Sequence, residues 1–220
     1  DYKFLNKNGL VYIKLDTESG KEWDLSRCSS IGRIIRKIVY NSCLSRVNVI
    51  SCETSQPYNS LCHNKDFGDQ LRKKLVLLPN ALDEAHLNIL GIKERMYDEK
   101  ENLMITVGRL GTSQKNTDML LKALENVDLK ERKFCFIGPI EKDFNSIIEQ
   151  FYENYPLKRR QVIFIGKFDN KKELWEWYNK AKIFVSTSRR ESYGLVLDAA
   201  KRFSNYIVGT RTGAADSLIA

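Results

Sequence analysis

The chain is poor in the features that mark several protein classes. Its 220 residues include four Pro and 12 Gly, too few for a collagen-like or low-complexity chain. No run of about 18 apolar residues occurs, so no transmembrane helix is expected. The opening residues Asp1-Tyr2-Lys3-Phe4 carry no signal-peptide pattern and no Met, which points to a fragment or a processed chain. The two histidines, His63 and His86, have no Cys or His partner at metal-ligand spacing. The five cysteines, Cys28, Cys43, Cys52, Cys62 and Cys135, are odd in number, widely spaced and lack a Cys-x-x-Cys pair. They argue against a disulfide framework or a metal site. They read as reduced, mostly buried thiols of a cytosolic protein.

What is present suffices for a core. Hydrophobic residues make up 42% and charged residues 29%, which excludes wholesale disorder. The length fits one large domain or two small ones. The formal charge of +8 invites nucleic acid or a membrane as partner. The cations are spread along the chain and no basic-aromatic recognition motif occurs, so no nucleic-acid partner is expected. One stretch stands out. Between Asp24 and Glu53 lie Arg27, Arg33, Arg36, Lys37 and Arg46, with no acid among them. A helix is predicted over 30–44, with Ile31, Ile34, Ile35, Ile38 and Val39 at helical spacing. The first expectation is that these residues are core and the cations a solvated face. The rival reading is a basic amphipathic helix lying on an anionic membrane surface.

Along the chain, β-rich runs at 10–15, 47–52, 74–78, 103–107, 134–137, 161–165, 183–185 and 206–208 alternate with helical patterns. The helices are expected at 30–44, around Met119 to Leu124, and at 143–153, 171–181 and 194–203. Residues 84–101 are crowded with charge and read as a connector. Strands of about five residues alternating with helices of about 10–12 imply βαβ units and a parallel sheet. Such sheets bind ligands outside the carboxyl ends of their strands. Gly108, Gly138 and Gly166 stand at three of those ends, either as tight turns or where backbone approaches a ligand.

Two clusters follow strand ends. In Gly108-Arg109-Leu110-Gly111-Thr112-Ser113-Gln114-Lys115-Asn116, two cations six residues apart flank a helix start, which suits a diphosphate. By itself this also fits a solvated loop. In Ser186 to Ala199, hydroxyl residues lead to Glu191-Ser192-Tyr193-Gly194 and a second helix start. Glu191 either complements the helix dipole or accepts hydrogen bonds from sugar hydroxyls.

Taken together, the clusters resemble the donor-binding domain of the retaining glycosyltransferases of family GT4, with the GT-B fold. Val107-Gly108-Arg109 with Lys115-Asn116 resembles the family's phosphate-binding segment. Phe136-Ile137-Gly138 and Phe164-Ile165-Gly166 resemble its next strand-glycine steps. Glu191-Ser192-Tyr193-Gly194-Leu195 resembles the start of its E-x7-E motif, and Gly209-Thr210 and Thr212-Gly213-Ala214 its downstream loop. More loosely, residues 12–16, 49–51 and Leu77-Leu78-Pro79-Asn80-Ala81 resemble the end of its N-terminal domain. One position departs: eight residues after Glu191 the family has a second glutamate, which holds the donor ribose, and here stands Ala199, preceded by Asp198.

The resemblance implies a Rossmann-like parallel sheet with helices on both faces. Residues 1–82 would be the trailing part of the N-terminal, acceptor-side domain and 83–101 a connector. Residues 102–220 would be the nucleotide-sugar domain, truncated at its C-terminal end. It implies transfer of a sugar, with retention, from a UDP- or GDP-sugar to a glycan or lipid-linked acceptor in cell-surface polysaccharide or glycolipid synthesis. No other cofactor and no metal would be required. Arg109 and Lys115 would stabilise the leaving diphosphate and Glu191 would orient the sugar. Gly108 and Gly111, the amides of Ser192, Tyr193 and Gly194, Gly166-Lys167 at the base, and Asp198 would complete the donor site. The enzyme would be cytoplasmic, with a peripheral contact at the inner face of the cell membrane as an option. As a fragment, this chain is not expected to be active alone. A non-catalytic sugar-nucleotide-binding domain of the same fold is the alternative.

Overall fold

The computed structural model describes residues 6, 8–18, 25 and 28–215. The chain divides into two compact units, Asp1–Asn80 and Ala81–Ala220.

The first unit contains β1 (Tyr12–Leu15), α1 (Ser30–Leu44), β2 (Val49–Cys52), α2 (Ser55–His63), α3 (Asp69–Arg72) and β3 (Leu75–Leu77). Its strands are parallel in the order β1-β2-β3, with Ile13 opposite Ile50 and Ile50 opposite Leu75. Ile50, Cys52, Leu61, Phe67, Leu71 and Leu75 form its core. At the carboxyl ends of the strands Lys14 Nζ pairs with Glu53 Oε1 at 2.6 Å. Asn80 Nδ2 donates to the same oxygen at 2.8 Å, and Lys14 Nζ donates to Asn80 Oδ1 at 2.6 Å. Glu53 is 4% exposed, so its buried charge is matched by two donors.

Helix α1 forms where its spacing predicts, but its isoleucines are not core. Ile31 is 73% exposed, Ile34 59% and Ile38 63%. Only the C-terminal end of α1 reaches the core, through Tyr40 and Leu44. The preceding turns therefore present apolar side chains to solvent beside exposed Arg33, Arg36 and Lys37.

The second unit contains α4 (Glu84–Leu90), β4 (Glu101–Val107), α5 (Thr117–Glu125), β5 (Lys133–Ile137), α6 (Phe144–Asn154), β6 (Val162–Gly166), α7 (Lys171–Lys180), β7 (Ala181–Ser186), α8 (Leu195–Arg202) and β8 (Tyr206–Gly209). Its five parallel strands run in the order β6-β5-β4-β7-β8. Side chains alternate across the sheet. Phe134 and Phe136 pack with Leu121, Phe144 and Phe151 of α5 and α6, whereas Cys135 and Ile137 belong to the core of Tyr178, Leu197 and Phe203. Both faces are thus covered by helices, as parallel sheets require. This is the expected α/β class.

Residues 84–101 differ from the expected polar connector. Asp83 caps α4 by accepting from the His86 amide at 2.9 Å, and Gly91 ends it at φ +62°. Several of the crowded charges have partners. Arg202 grips both oxygens of Glu84 at 2.6 and 2.9 Å and Glu94 at 2.7 Å. Lys100 is 4% exposed and donates to the carbonyls of Tyr178 and Asn179 at the end of α7. Burial holds its ammonium down at a pKa of about 8. Glu84, Glu94 and Lys100 thus act as pins, each meeting an opposite charge or a helix-end carbonyl far along the chain.

Candidate active site

The sheet changes winding direction between β4 and β7. From β4 the chain goes on to β5 and β6 on one side; β7 and β8 continue on the other. Loops leaving adjacent strands of opposite winding part there, opening the crevice in which such sheets bind ligands. Both sequence clusters lie at this point: Gly108 to Asn116 joins β4 to α5, and Thr187 to Gly194 joins β7 to α8.

The two loops meet through side chains. Lys115 Nζ forms an ion pair with a carboxylate oxygen of Glu191, 76 residues away. Their side chains are 18% and 9% exposed, so the pair is largely withdrawn from water. Among the described residues this is the only acceptor of Lys115 Nζ, leaving two ammonium protons available. Arg109 is exposed and donates from Nη2 to Gln114 Oε1 at 3.1 Å. Gln114 ties the loops together: its Nε2 donates to the Arg190 carbonyl at 3.1 Å and its own carbonyl accepts from the Arg189 amide at 2.8 Å. The Thr187 hydroxyl, 3.1 Å from both the Lys115 and Asn116 carbonyls, supports the turn into α5. Gln114 and Thr187 lie inside the sequence clusters, but only their cross-loop contacts reveal their role.

The glycines serve this geometry in different ways. A Cβ on Gly138 would lie 1.9 Å from the Gly108 carbonyl oxygen, so only glycine lets the β5 turn rest on the β4 turn; its φ of +136° requires glycine as well. Gly108 is covered by the stem of Lys115, with Lys115 carbons 3.2–3.4 Å from a Cβ placed there. Gly111 is packed against Phe144 of α6. The space beside these two glycines is therefore occupied by protein. Gly194, at φ +91°, is the N-cap of α8 and turns the chain from Glu191-Ser192-Tyr193 into the helix.

The remaining site residues are dispersed. Ser192 is half-buried at the turn. Tyr193 is buried; its carbonyl accepts from Ala214 at 2.7 Å, and Gly213 packs against the same carbonyl. Asp198 approaches the Tyr193 hydroxyl at 3.4 Å through Oδ2, and burial pushes its carboxyl pKa up. Gly166 ends β6 at φ +88°. Lys167 points outward and pairs with Asp169 at 2.6 Å. Among the described residues no three His, Cys, Asp or Glu side chains cluster as metal ligands. Among them, too, no helix is long and apolar enough to cross a membrane.

Beside the loops lies a cavity of about 320 Å³. Its walls include Leu82, Val107, Leu174, Trp175, Leu195 and Ala199, with Asp83, His86 and Lys171 as its charged or polar members. Val107 directly precedes Gly108, and Leu195 directly follows Gly194. Val107 and Leu195 thus bring the cavity wall to the start of one loop and the end of the other, while Arg109, Lys115 and Glu191 do not line it. Ala199 lies on its wall; Asp198 does not.

Comparison with known proteins agrees with this architecture. Over 132 residues the chain is 26% identical to the amylovoran biosynthesis glycosyltransferase AmsD of Erwinia amylovora, covering 60% of this chain and 36% of AmsD. Its fold is similar to that of Anabaena Alr3699/HepE in complex with UDP and glucose, with a TM-score of 0.63 and 14% identity over 99% of this chain and 57% of that one. It is also similar to a mutant of S. aureus TarM in complex with fondaparinux, alpha-GlcNAc-glycerol and UDP, with a TM-score of 0.60 and 18% identity over 97% and 40% of the respective chains. The chain spans less than two thirds of each of these relatives. At such identities the structural likeness establishes the GT-B glycosyltransferase fold. Residues 92–220, more than half of the chain, match the family of glycosyl transferases group 1, and the chain belongs to that family.

Proposed function

We infer that this chain carries the donor-binding half of a GT4-type retaining glycosyltransferase and that its substrate is a UDP- or GDP-sugar. The observation that carries this reading is the Lys115–Glu191 pair, set beside Arg109 where β4 and β7 diverge. An empty site keeps the two charges neutralised by each other. A bound diphosphate draws Lys115 and Arg109 to its oxygens, and Glu191 is then free to accept hydrogen bonds from the sugar hydroxyls. In the reaction the acceptor oxygen bonds to the anomeric carbon as the bond to the diphosphate breaks. The electron pair stays on the diphosphate, and the hydroxyl proton passes to it or to water. The two cations and the amides at the start of α8 stabilise the growing negative charge.

Titration with UDP and GDP by calorimetry tests the reading. Arg109→Ala should weaken binding of the preferred nucleotide by about tenfold or more, as expected for a lost charge-assisted hydrogen bond, with an unchanged melting temperature. Equal affinities would sink the phosphate role. AmsD, named for amylovoran biosynthesis, favours a polysaccharide acceptor for the complete enzyme. A sugar-nucleotide-binding domain without transfer activity is the second reading, favoured by Ala199 in place of a carboxylate; hydrolysis or transfer with a panel of donors separates the two.

The exposed Ile31, Ile34 and Ile38 beside Arg33, Arg36 and Lys37 support a peripheral contact of α1 with an anionic membrane at the cytoplasmic face. Sedimentation with anionic vesicles should capture the protein at low salt and release it at high salt. Failure to sediment removes this part of the proposal.

A further inference from the structure

Gln114 gathers three arginine residues. Its Oε1 accepts from Arg109 Nη2 at 3.1 Å, its carbonyl accepts from the Arg189 amide at 2.8 Å, and its Nε2 donates to the Arg190 carbonyl at 3.1 Å. Arg189 and Arg190 are exposed, and among the described residues neither guanidinium has a partner. We propose that Arg189 and Arg190 read a carboxylate on the sugar of the donor, so that the preferred donor is a nucleoside diphosphate uronate rather than its neutral hexose counterpart. This rests on the donor reading above and adds to it the chemical class of the sugar.

Charge sets the expectation. The loops 108–116 and 187–194 together hold four cations, Arg109, Lys115, Arg189 and Arg190, and one carboxylate, Glu191. Like charges drawn together repel, and a cleft lined by one sign attracts the opposite one. The diphosphate of a nucleotide sugar brings two negative charges, which Arg109 and Lys115 match. Glu191 then offsets one of the two remaining guanidiniums, and one positive charge is left for a further anion. Position says which part of the donor carries that anion. Arg190 directly precedes Glu191, the residue assigned to the sugar hydroxyls, which sets the free guanidiniums on the sugar side of the diphosphate. Their backbone is held firmly. Besides the two bonds to Gln114, the Ser188 carbonyl just before them accepts from the Thr210 hydroxyl, and Glu191 just after them is buried. A guanidinium on such a support meets a carboxylate through two parallel N–H···O bonds, and the hydroxymethyl group of a neutral hexose offers no equivalent partner.

Calorimetry with the full chain compares three pairs of donors: UDP-glucuronate with UDP-glucose, UDP-galacturonate with UDP-galactose, and GDP-mannuronate with GDP-mannose. In at least one pair the uronate should bind about tenfold more tightly or better, the size expected for a hydrogen bond between charged groups. A preference of less than about tenfold in every pair overturns the proposal and leaves the donor reading standing. Binding of none of the six donors overturns the donor reading itself, and this inference with it, so the two failures are distinct. The wild-type comparison depends on no variant. A second arm combines Arg189→Gln with Arg190→Gln, checked for folding by melting temperature. The preference for the uronate should then fall to within about twofold, and Arg189→Lys with Arg190→Lys should retain part of it. An unchanged ratio in the folded glutamine variant, with both members of a pair weakened alike, assigns the arginines to the diphosphate and also overturns the proposal.

Discussion

Both units carry a lysine–glutamate pair at the carboxyl ends of a parallel sheet, and the pairs differ in how fully they are satisfied. In the first unit Lys14, Glu53 and Asn80 close a triangle of short contacts around a buried carboxylate. In the second, Lys115 and Glu191 pair with each other where the strands diverge, and among the described residues neither side chain makes a further hydrogen bond. A closed network fixes strand ends and has little left to offer a ligand. An open pair keeps donors and acceptors in reserve. The difference teaches that a Lys–Glu pair should be read by its unspent hydrogen bonds rather than by its presence.

The sharpest way to break this comparison is to remove one carboxylate from each pair. Glu191→Gln should lower sugar transfer by the complete enzyme about 100-fold, within the range seen when a preorganised polar group is lost. Its unfolding free energy should fall by about 1–3 kcal/mol, because Lys115 loses its largely buried counter-charge. Glu53→Gln should leave donor affinity unchanged and destabilise by about 1–3 kcal/mol in urea titration, because Lys14 loses the opposite charge it is paired with. An exchange of these outcomes would invert the assignment.

A backbone test is next in size. Gly138→Ala forces a Cβ against the Gly108 carbonyl at φ +136°. It should cost about 2 kcal/mol or more of stability and weaken nucleotide binding as the β4 loop shifts. The same substitution at Gly68, where a Cβ meets nothing within 4 Å, should be mild by comparison.

A pH test separates structural from functional charge in the second unit. Lys100 has its pKa lowered from 10.5 to about 8 by burial. The unfolded chain therefore binds more protons between these values, and stability should rise as pH increases from about 8 to 10.5, by on the order of 2 kcal/mol. Lys100→Met should abolish that rise without affecting donor affinity. A rise that persists would assign it to other groups. The smallest effect is expected at Gln114. Gln114→Ala removes a cross-loop tie and should raise the Michaelis constant for donor a few-fold, about 1 kcal/mol, while kcat changes less.

Much of the second unit was legible in the sequence. Alternating apolar runs, strand-end glycines and the two polar clusters marked the strands and placed Arg109, Lys115 and Glu191 on loops, because local pattern and fold agree there. Three features were not legible. The isoleucine face of α1 reads as core, yet periodicity reports a face and not what covers it. Residues 84–101 read as a charged connector because Glu84, Glu94 and Lys100 find their partners on α7 and α8, about 80 to 118 residues further on. The mutual pairing of Lys115 and Glu191 is likewise a product of the sheet order, which brings β7 beside β4; neither loop alone encodes it.

The central claim is that Lys115 is held in reserve for a diphosphate. Calorimetric titration of UDP into the wild-type chain and Lys115→Ala tests it most directly. The account predicts that the variant binds about 30-fold more weakly or worse, the loss expected for a charge-assisted hydrogen bond of roughly 2 kcal/mol. Equal affinity in the two proteins would contradict it.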